Sequence, residues 1–460
     1  MNKARPLPHL WPALNWIYSA GRSKLPGVKH IAAIILAVNF ASGAVFRGAV
    51  PHPADGIDAT SIESIQIQGD GKSVAAGTFS DETTDHFAVV RYKSDGSLDP
   101  TFGVGGRVII PATRNEKAFA MAIQADGKLV VAGYAETSSS HDVAVARLNE
   151  DGSLDLSFGK AGKATKAFGQ SYARAFDVFV QPDQKIVAAG HSNNTTHGFD
   201  FAAMRFNTNG TPDISFGKNG IAVTAFGKQN NGGQAGALQT DGKIIVAGQY
   251  SDGSNSSTAL LRYNSNGMLD ITFGRAGKVI TPYTKKSSSA NRVLIQSDGK
   301  IIAAGNAYQD ILNATFALSR YLPNGAIDST FGNLGKLITP ADDGASLDLL
   351  AIKLAIDGKI VVAGKITSDY VDKFYLRRYL VNGKPDLAFG KDGSVMTAFS
   401  DDGSCAAHAL AIQSDGTIIA AGYSELDPRR SFALARYKAD GKIDTSFGTA
   451  GMVTTSLGQK

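Results

Sequence analysis

Cysteine is nearly absent from this chain: Cys405 is its single thiol, which excludes an intrachain disulfide framework and any all-cysteine metal site. Tryptophan is almost as scarce. Both indoles, Trp11 and Trp16, lie before residue 44, so any aromatic sugar platform in the long remainder falls to tyrosine and phenylalanine. Prolines number 15 against 51 glycines in 460 residues, a balance that suits short strands joined by tight turns. The apolar run at residues 31–46, IAAIILAVNFASGAVF, has 16 residues and falls short of the roughly 20 that a bilayer-spanning helix needs. An excess of positive charge is missing from the body. The formal charge of +5 comes from Lys3, Arg5, Arg22, Lys24 and Lys29, and from Ala44 onward 41 basic residues face 41 acidic ones. A neutral body argues against nucleic acid as a partner, because phosphate binding needs concentrated positive charge. Neither a Gly-rich-Lys phosphate loop nor a GxSxG nucleophile elbow is present.

Lys29, the apolar stretch Ile31–Phe40 and Ala41-Ser42-Gly43 follow the order of an export signal: charge, apolar core, small-residue cleavage site. The sequence predicts a leader over 1–43 and a mature chain beginning near Ala44. No membrane span is expected after cleavage, and the location is secreted or in the bacterial cell envelope. The 28 residues ahead of Lys29 are long for such a leader and fit a translation start downstream, at Leu25 or Val28. An uncleaved anchor or a dispensable leader is the other reading.

The remainder is built from one repeated unit. Its ruler is an arginine near the end of a short alternating segment: Arg91, Arg147, Arg205, Arg262, Arg320, Arg378 and Arg436, at gaps of 56, 58, 57, 58, 58 and 58 residues. Five residues after each arginine stands a glycine, from Gly96 to Gly441. Eight after each stands an aspartate: Asp99, Asp155, Asp213, Asp270, Asp328, Asp386 and Asp444. Four residues further comes the glycine of a Phe-Gly pair, and three more bring another glycine.

Each unit holds four strand-like pieces. In the second they are Phe119–Gln124, Lys128–Tyr134, Val143–Leu148 and Gly162–Ala167, with Asp126-Gly127 between the first two as a hairpin turn whose positions both tolerate positive φ. Seven four-stranded units predict an all-β, seven-bladed β-propeller, a single domain over 44–460 with repeats over about 61–456. Radial packing shortens and protects the strand edges that a lone sheet leaves open. A stacked solenoid uses shorter repeats of about 20–45 residues, and a row of small barrels needs linkers that the register lacks. Small residues in VAAG, VVAG and IIAAG are expected to permit close sheet contacts near the axis. For ring closure the chain offers one strand too many: Gly48–Pro51 and Met452–Ser456 both qualify.

Units such as DGKIIVAGQY followed by ALLRYNSNGMLDITFGRAGKVIT resemble the bacterial delta-60 repeat family of β-propeller-like proteins, as do DGTIIAAGYSE and FALARYKADGKIDTSFGTAGMVTTS in the seventh unit. The resemblance covers roughly residues 61–456. It implies the architecture and carries no catalytic set.

The recurring Arg–Asp pairs read as structural repeat positions, because catalysis needs one differentiated constellation whereas this pair stands in every unit. The arginine fork is expected to bridge to the aspartate and to nearby carbonyls, and the aspartate to accept backbone N–H groups of the Leu-Asp-x-x-Phe-Gly turn. The phenylalanine is expected to fill a pocket between sheets. In the third unit Asp183-Gln184 replaces Asp-Gly, which predicts another turn or strain. His86, His141, His191 and His197 are read as loop residues without a metal-ligand pattern. Asp342-Asp343 and Asp401-Asp402 are read as solvated or as carboxylates for glycosidase or lyase chemistry, the Gly253 loop as lacking a complete EF-hand ligand set while leaving calcium open, and Cys405 as a loop thiol without a base. No cofactor, metal or catalytic residue is assigned.

The variable loops, including TFSDETTDH, HSNNTTHGFD and QYSDGSNSST, are rich in Ser, Asn and Asp and suited to hydrogen-bonding a sugar or a protein backbone. The expected function is an exported binding or structural propeller that recognises a protein or carbohydrate through these loops. The alternative is a propeller hydrolase or lyase with a composite central site.

Overall fold

Each unit's second strand carries an unbroken run of apolar and small residues, as in Val74–Gly77 of SVAAGTFS at residues 73–80, rather than alternating. A strand reads this way when sheets cover both of its faces. The computed structural model of the chain shows that arrangement. It describes residues 60–458 except 82, 169–171, 195, 197, 228, 230, 284–286, 309–313, 342–344 and 427–428. The leader with its export signal and the spare strand at Gly48–Pro51 lie outside the described residues.

Among the described residues every regular element is a strand, and the 28 strands form seven four-stranded antiparallel sheets. In blade 1 the strands are Ser61–Ile67, Ser73–Ser80, Asp85–Tyr92 and Arg107–Ile110, hydrogen-bonded in chain order, and every later unit repeats this meander. The first strands pack against one another from blade to blade, and Ser61–Ile67 packs against Cys405–Ile412 of blade 7. This closed circuit makes the molecule a seven-bladed β-propeller and excludes the solenoid and the row of barrels.

Apolar cores fill the gaps between successive sheets. Val74, Phe87 and Phe102 of blade 1 meet Met121, Val131 and Leu148 of blade 2, and at the closing joint Ile62 and Val90 meet Ile419, Leu434 and Phe447. The Phe of each Phe-Gly pair is fully buried, from Phe102 to Phe447, and each contributes about 1.5–3 kcal/mol by leaving water. A tyrosine follows the arginine in five blades and donates to a threonine in the preceding blade's fourth strand, as in Tyr321 Oη to Thr281 Oγ1 at 2.7 Å. In blade 2 the tyrosine is replaced by Leu148 and the threonine by Ile110, an apolar pair in one core.

Two local features differ from the sequence reading. In the first hairpin only the glycine is left-handed, with φ between 78° and 84° in the six Asp-Gly turns; the aspartate is not. Instead Asp70 Oδ1 accepts the Lys72 N–H at 3.1 Å, and Gln68 N–H bonds to Lys72 O at 2.8 Å. Gln184 keeps the same turn at φ 62°, so this blade accepts left-handed strain rather than a new turn. The glycine of VAAG does not serve the axis. A Cβ at Gly77 would stand 1.9 Å from Ser61 O, where the first strand shifts register between Ile62 and Ser64, so the glycine makes room for a bulge within its own sheet.

Candidate functional site

The seven recurring Arg–Asp pairs lie at the joints between blades. Arg91 Nε donates to Asp99 Oδ2 at 2.8 Å, Arg147 to Asp155 at 2.8 Å, Arg205 to Asp213 at 2.7 Å and Arg262 to Asp270 at 2.8 Å. Arg320 donates to Asp328 at 2.8 Å, Arg378 to Asp386 at 2.7 Å and Arg436 to Asp444 at 2.8 Å. Each arginine also reaches the next blade: Arg91 Nη1 donates to Glu150 O at 2.7 Å and Arg262 Nη1 to Pro323 O at 2.6 Å, and Arg436 bonds to Ser94 O across the closing joint. The guanidinium lies over its own blade's Phe ring, 4.7 Å from the centroid at Arg91. The other aspartate oxygen accepts from two residues on: Thr101 N–H and Oγ1 bond to Asp99 Oδ1 at 3.1 and 2.8 Å. Burial pushes the Asp99 carboxyl up, but the Thr101 bonds and the charges of Arg91 and Lys72 outweigh it and hold it at about 2. These groups are committed to one another, which leaves no base or nucleophile for chemistry.

The seven first strands, innermost in the ring, surround a central cavity of about 1070 Å³. Here the units stop resembling one another. Seven residues before the aspartate (in blade 3, Asp183) of each first turn stand Glu63, Phe119, Phe176, Gln234, Asn291, Leu350 and His408, six residue types in seven blades. Six before it stand Ser64, Ala120, Asp177, Ala235, Arg292, Ala351 and Ala409, and four before it Gln66, Ala122, Phe179, Ala237, Leu294, Lys353 and Ala411. The last two positions are two residues apart, so the strand pleat turns them to one face.

That face brings Asp177, Arg292 and Lys353 to the cavity wall from blades 3, 5 and 6. Asp177 Oδ2 accepts the Gly236 N–H at 2.8 Å. Burial pushes its carboxyl up to about 6, against the pull of Arg292, that bond and Lys353. Burial also pushes the Lys353 ammonium down, opposed by Asp177. Arg292 spends Nη1 on the adjacent Asn291 O at 2.8 Å. Among the described residues Lys353 Nζ has no hydrogen-bond or ion-pair partner. At the closing joint His408 Nδ1 and Glu63 Oε1 are 2.8 Å apart, both buried.

A run of rings leads from the cavity wall outward over blades 2 and 3. Phe119 lies 5.0 Å from Phe176 and 5.9 Å from Tyr134, Tyr134 stacks on His141 at 4.3 Å, and His141 meets the edge of Tyr172 at 4.6 Å. Tyr172 is 43% exposed, and the Arg174 guanidinium lies 4.9 Å over Tyr134. The histidines are therefore not solvated loop residues. His86 and His141 stand on third strands and His191 on a second strand, all buried. His86 Nε2 sits 3.0 Å from Asp81 Oδ2, and its Nδ1 accepts the Ala112 N–H at 3.2 Å. Cys405 is not in a loop either: it opens a first strand, and burial raises its thiol pKa. Asp401 and Asp402 are exposed, and Asp252 Oδ1 closes the Gly253 turn through the Ser254 and Asn255 N–H groups. His197 and Asp342-Asp343 lie outside the described residues.

No curated protein matches the chain in sequence. Among solved structures, a protein from Lactobacillus plantarum is 14% identical with a TM-score of 0.46, the match covering 84% of this chain and 99% of that one. The polysaccharide lyase Uly1 is 11% identical with a TM-score of 0.46, over 86% and 93% of the two chains. Sqt1 from Chaetomium thermophilum, bound to the N-terminus of the ribosomal protein L10, is 12% identical with a TM-score of 0.42, over 85% and 87%. A family described as a β-propeller domain of unknown function, DUF5122, matches residues 68–102, 124–158, 181–216, 239–273, 296–331, 357–389 and 413–447. Those seven segments, each running from the first turn to the Phe-Gly pair, make up more than half of the sequence, and the chain belongs to the DUF5122 β-propeller family.

Proposed function

We propose that this propeller is an exported carbohydrate-binding protein that takes its ligand at the central cavity and at the exposed ring of Tyr172. The observation that carries this reading is the contrast between invariant joints and individual walls: one residue type at each clamp position, but five types among the six cavity-lining residues Gln66, Ala122, Phe179, Ala237, Leu294 and Lys353. A scaffold needs the former, and recognition needs the latter. The volume, about 1070 Å³, suits a few sugar rings rather than a folded domain. Tyr172, the exposed end of a ring stack otherwise buried in the core, offers an aromatic face of the kind a saccharide packs against.

In this reading the Arg–Asp pairs are scaffold, and the delta-60 repeat and the family unit are the same module. The hydrolase or lyase alternative draws on Asp177, whose carboxyl at about 6 is in the range useful for proton transfer near neutrality. Calorimetric titration of the full chain with a panel of oligosaccharides tests the proposal. Binding of at least one, weakened about two- to tenfold in Tyr172→Ala as expected for loss of one aromatic contact, supports it. A panel without binders sinks it, and release of a cleaved product moves the assignment to the enzyme.

A further inference from the structure

We infer that the ligand of the central cavity carries a carboxylate, seated between Arg292 and Lys353; with the carbohydrate reading on which this rests, the ligand is an acidic saccharide with a uronic acid residue. Glu63 and His408 on the cavity wall hold each other at 2.8 Å, and Asp70 and Glu150 stand in turns of its lining; the remaining charged side chains of the wall are two cations and one anion, from blades 5, 6 and 3. The anion, Asp177, has a backbone partner in Gly236 N–H. The cations are poorly supplied. Arg292 donates one N–H to the neighbouring Asn291 O, and Lys353 donates to no described residue. A half-buried ammonium without a partner is poorly stabilised, and an anion arriving from outside supplies what it lacks.

The sum of the three charges also selects the anion. With Asp177 ionised the trio carries one net positive charge, which a carboxylate neutralises. A phosphate dianion would overshoot that charge and meet about twice the repulsion from Asp177 that a carboxylate meets. The free edge of the Arg292 guanidinium offers paired N–H donors that match the two oxygens of a carboxylate. Phe179, Leu294 and Ile352 are among the apolar residues of the lining, and apolar neighbours strengthen charge recognition by limiting water. The repeat itself supports the assignment: the positions of Arg292 and Lys353 hold serine, alanine, aspartate, glutamine, phenylalanine or leucine in other blades, so packing in this fold does not call for a cation there.

The test uses the full chain and three probes in calorimetry at fixed salt: a trigalacturonate, the neutral galactose trisaccharide, and phenylacetate as a carboxylate without sugar. The expected result is binding of trigalacturonate at least about tenfold tighter than of the neutral trisaccharide, the value of one charge-assisted contact. Arg292→Gln and Lys353→Met should each remove most of that difference. Lys353→Met should also melt at or above the wild-type temperature without ligand, because it removes an unpartnered ammonium; this keeps a loss of binding from being confused with a loss of fold. Equal binding of the acidic and neutral trisaccharides overturns the carboxylate site while leaving the carbohydrate reading standing. Lys353-dependent binding of phenylacetate alone keeps the carboxylate site and overturns the carbohydrate reading. Binding by none of the three, or binding indifferent to both substitutions, overturns the inference.

Discussion

Arg262 illustrates what one side chain does at a joint. Its Nε holds Asp270, its Nη1 holds a carbonyl of the next blade, and its plane covers Phe273. Arg262→Ala leaves Asp270 buried without its main partner, and we expect a loss of about 3–5 kcal/mol in urea unfolding. Arg262→Lys should recover little, because an ammonium cannot serve two directions and a ring face together. Phe158→Ala empties a fully buried site and should cost about 3–5 kcal/mol in the same assay. The acid limb of stability follows from the aspartates. Asp99, Asp155 and Asp270 are held at about 2 in the folded chain, below the ordinary value, so their contribution is complete above pH ~4 and is lost as pH falls toward 2. Asp177 has the opposite sign: raised to about 6, it favours the folded chain increasingly as pH falls from 7 to about 4. A stability–pH curve in which Asp177→Asn abolishes a rise between pH 7 and 5 but leaves the fall below pH 4 checks both signs. The clamp residues were legible in sequence because they recur. Asp177, Arg292 and Lys353 were not, since a reading that looks for what repeats passes over the positions that differ; aligning the seven units on the first turn is the signal that exposes them.

At the scale of strands and turns, the hairpin of blade 3 offers a direct test. Gln184 holds φ 62° where the other blades use glycine, so Gln184→Gly should stabilise the protein by about 0.5–1 kcal/mol, the left-handed cost less the entropy of glycine. An unchanged or lowered unfolding midpoint would mean that contacts of the glutamine side chain offset the strain. Gly77→Ala tests the bulge from the other side, because its Cβ would meet backbone rather than a movable side chain. Strand existence was readable from the turns, and in blade 2 the four observed strands lie within about two or three residues of their expected places. The purpose of the small residues was not readable. Their contact is with a bulge in the neighbouring strand, and a bulge has no period of its own in sequence. The histidines misled for a related reason: stacked against Tyr134 and Phe199, they complete strand ends in a stretch whose composition looks like loop.

For the whole molecule, the repeat count determined the blade count, and the order of strands within each blade follows chain order. Export belongs at this scale as well. Under the export proposal, N-terminal sequencing of any protein recovered outside the cytoplasm is expected to begin near Ala44, and recovery of an intact leader would count against that site. Ring closure was ambiguous in sequence because two segments qualified as a strand. In the structure blade 7 takes its fourth strand from Met452–Thr455 and blade 1 is complete from its own unit.

A ring whose blades are each drawn from one continuous stretch has a seam. Six joints have a covalent link alongside the clamp, and the joint of blades 7 and 1 has, among the described residues, side-chain contacts and one backbone bond, Gly448 N–H to Asp95 O at 2.8 Å. Its six counterparts, from Gly103 N–H to Asp151 O round to Gly390 N–H to Asp440 O, have nearly the same length. Geometry alone would make all seven amides exchange with solvent deuterium at one rate. Breathing of the hoop at its unlinked joint would make Gly448 exchange first, with six internal standards in the same molecule to measure it against.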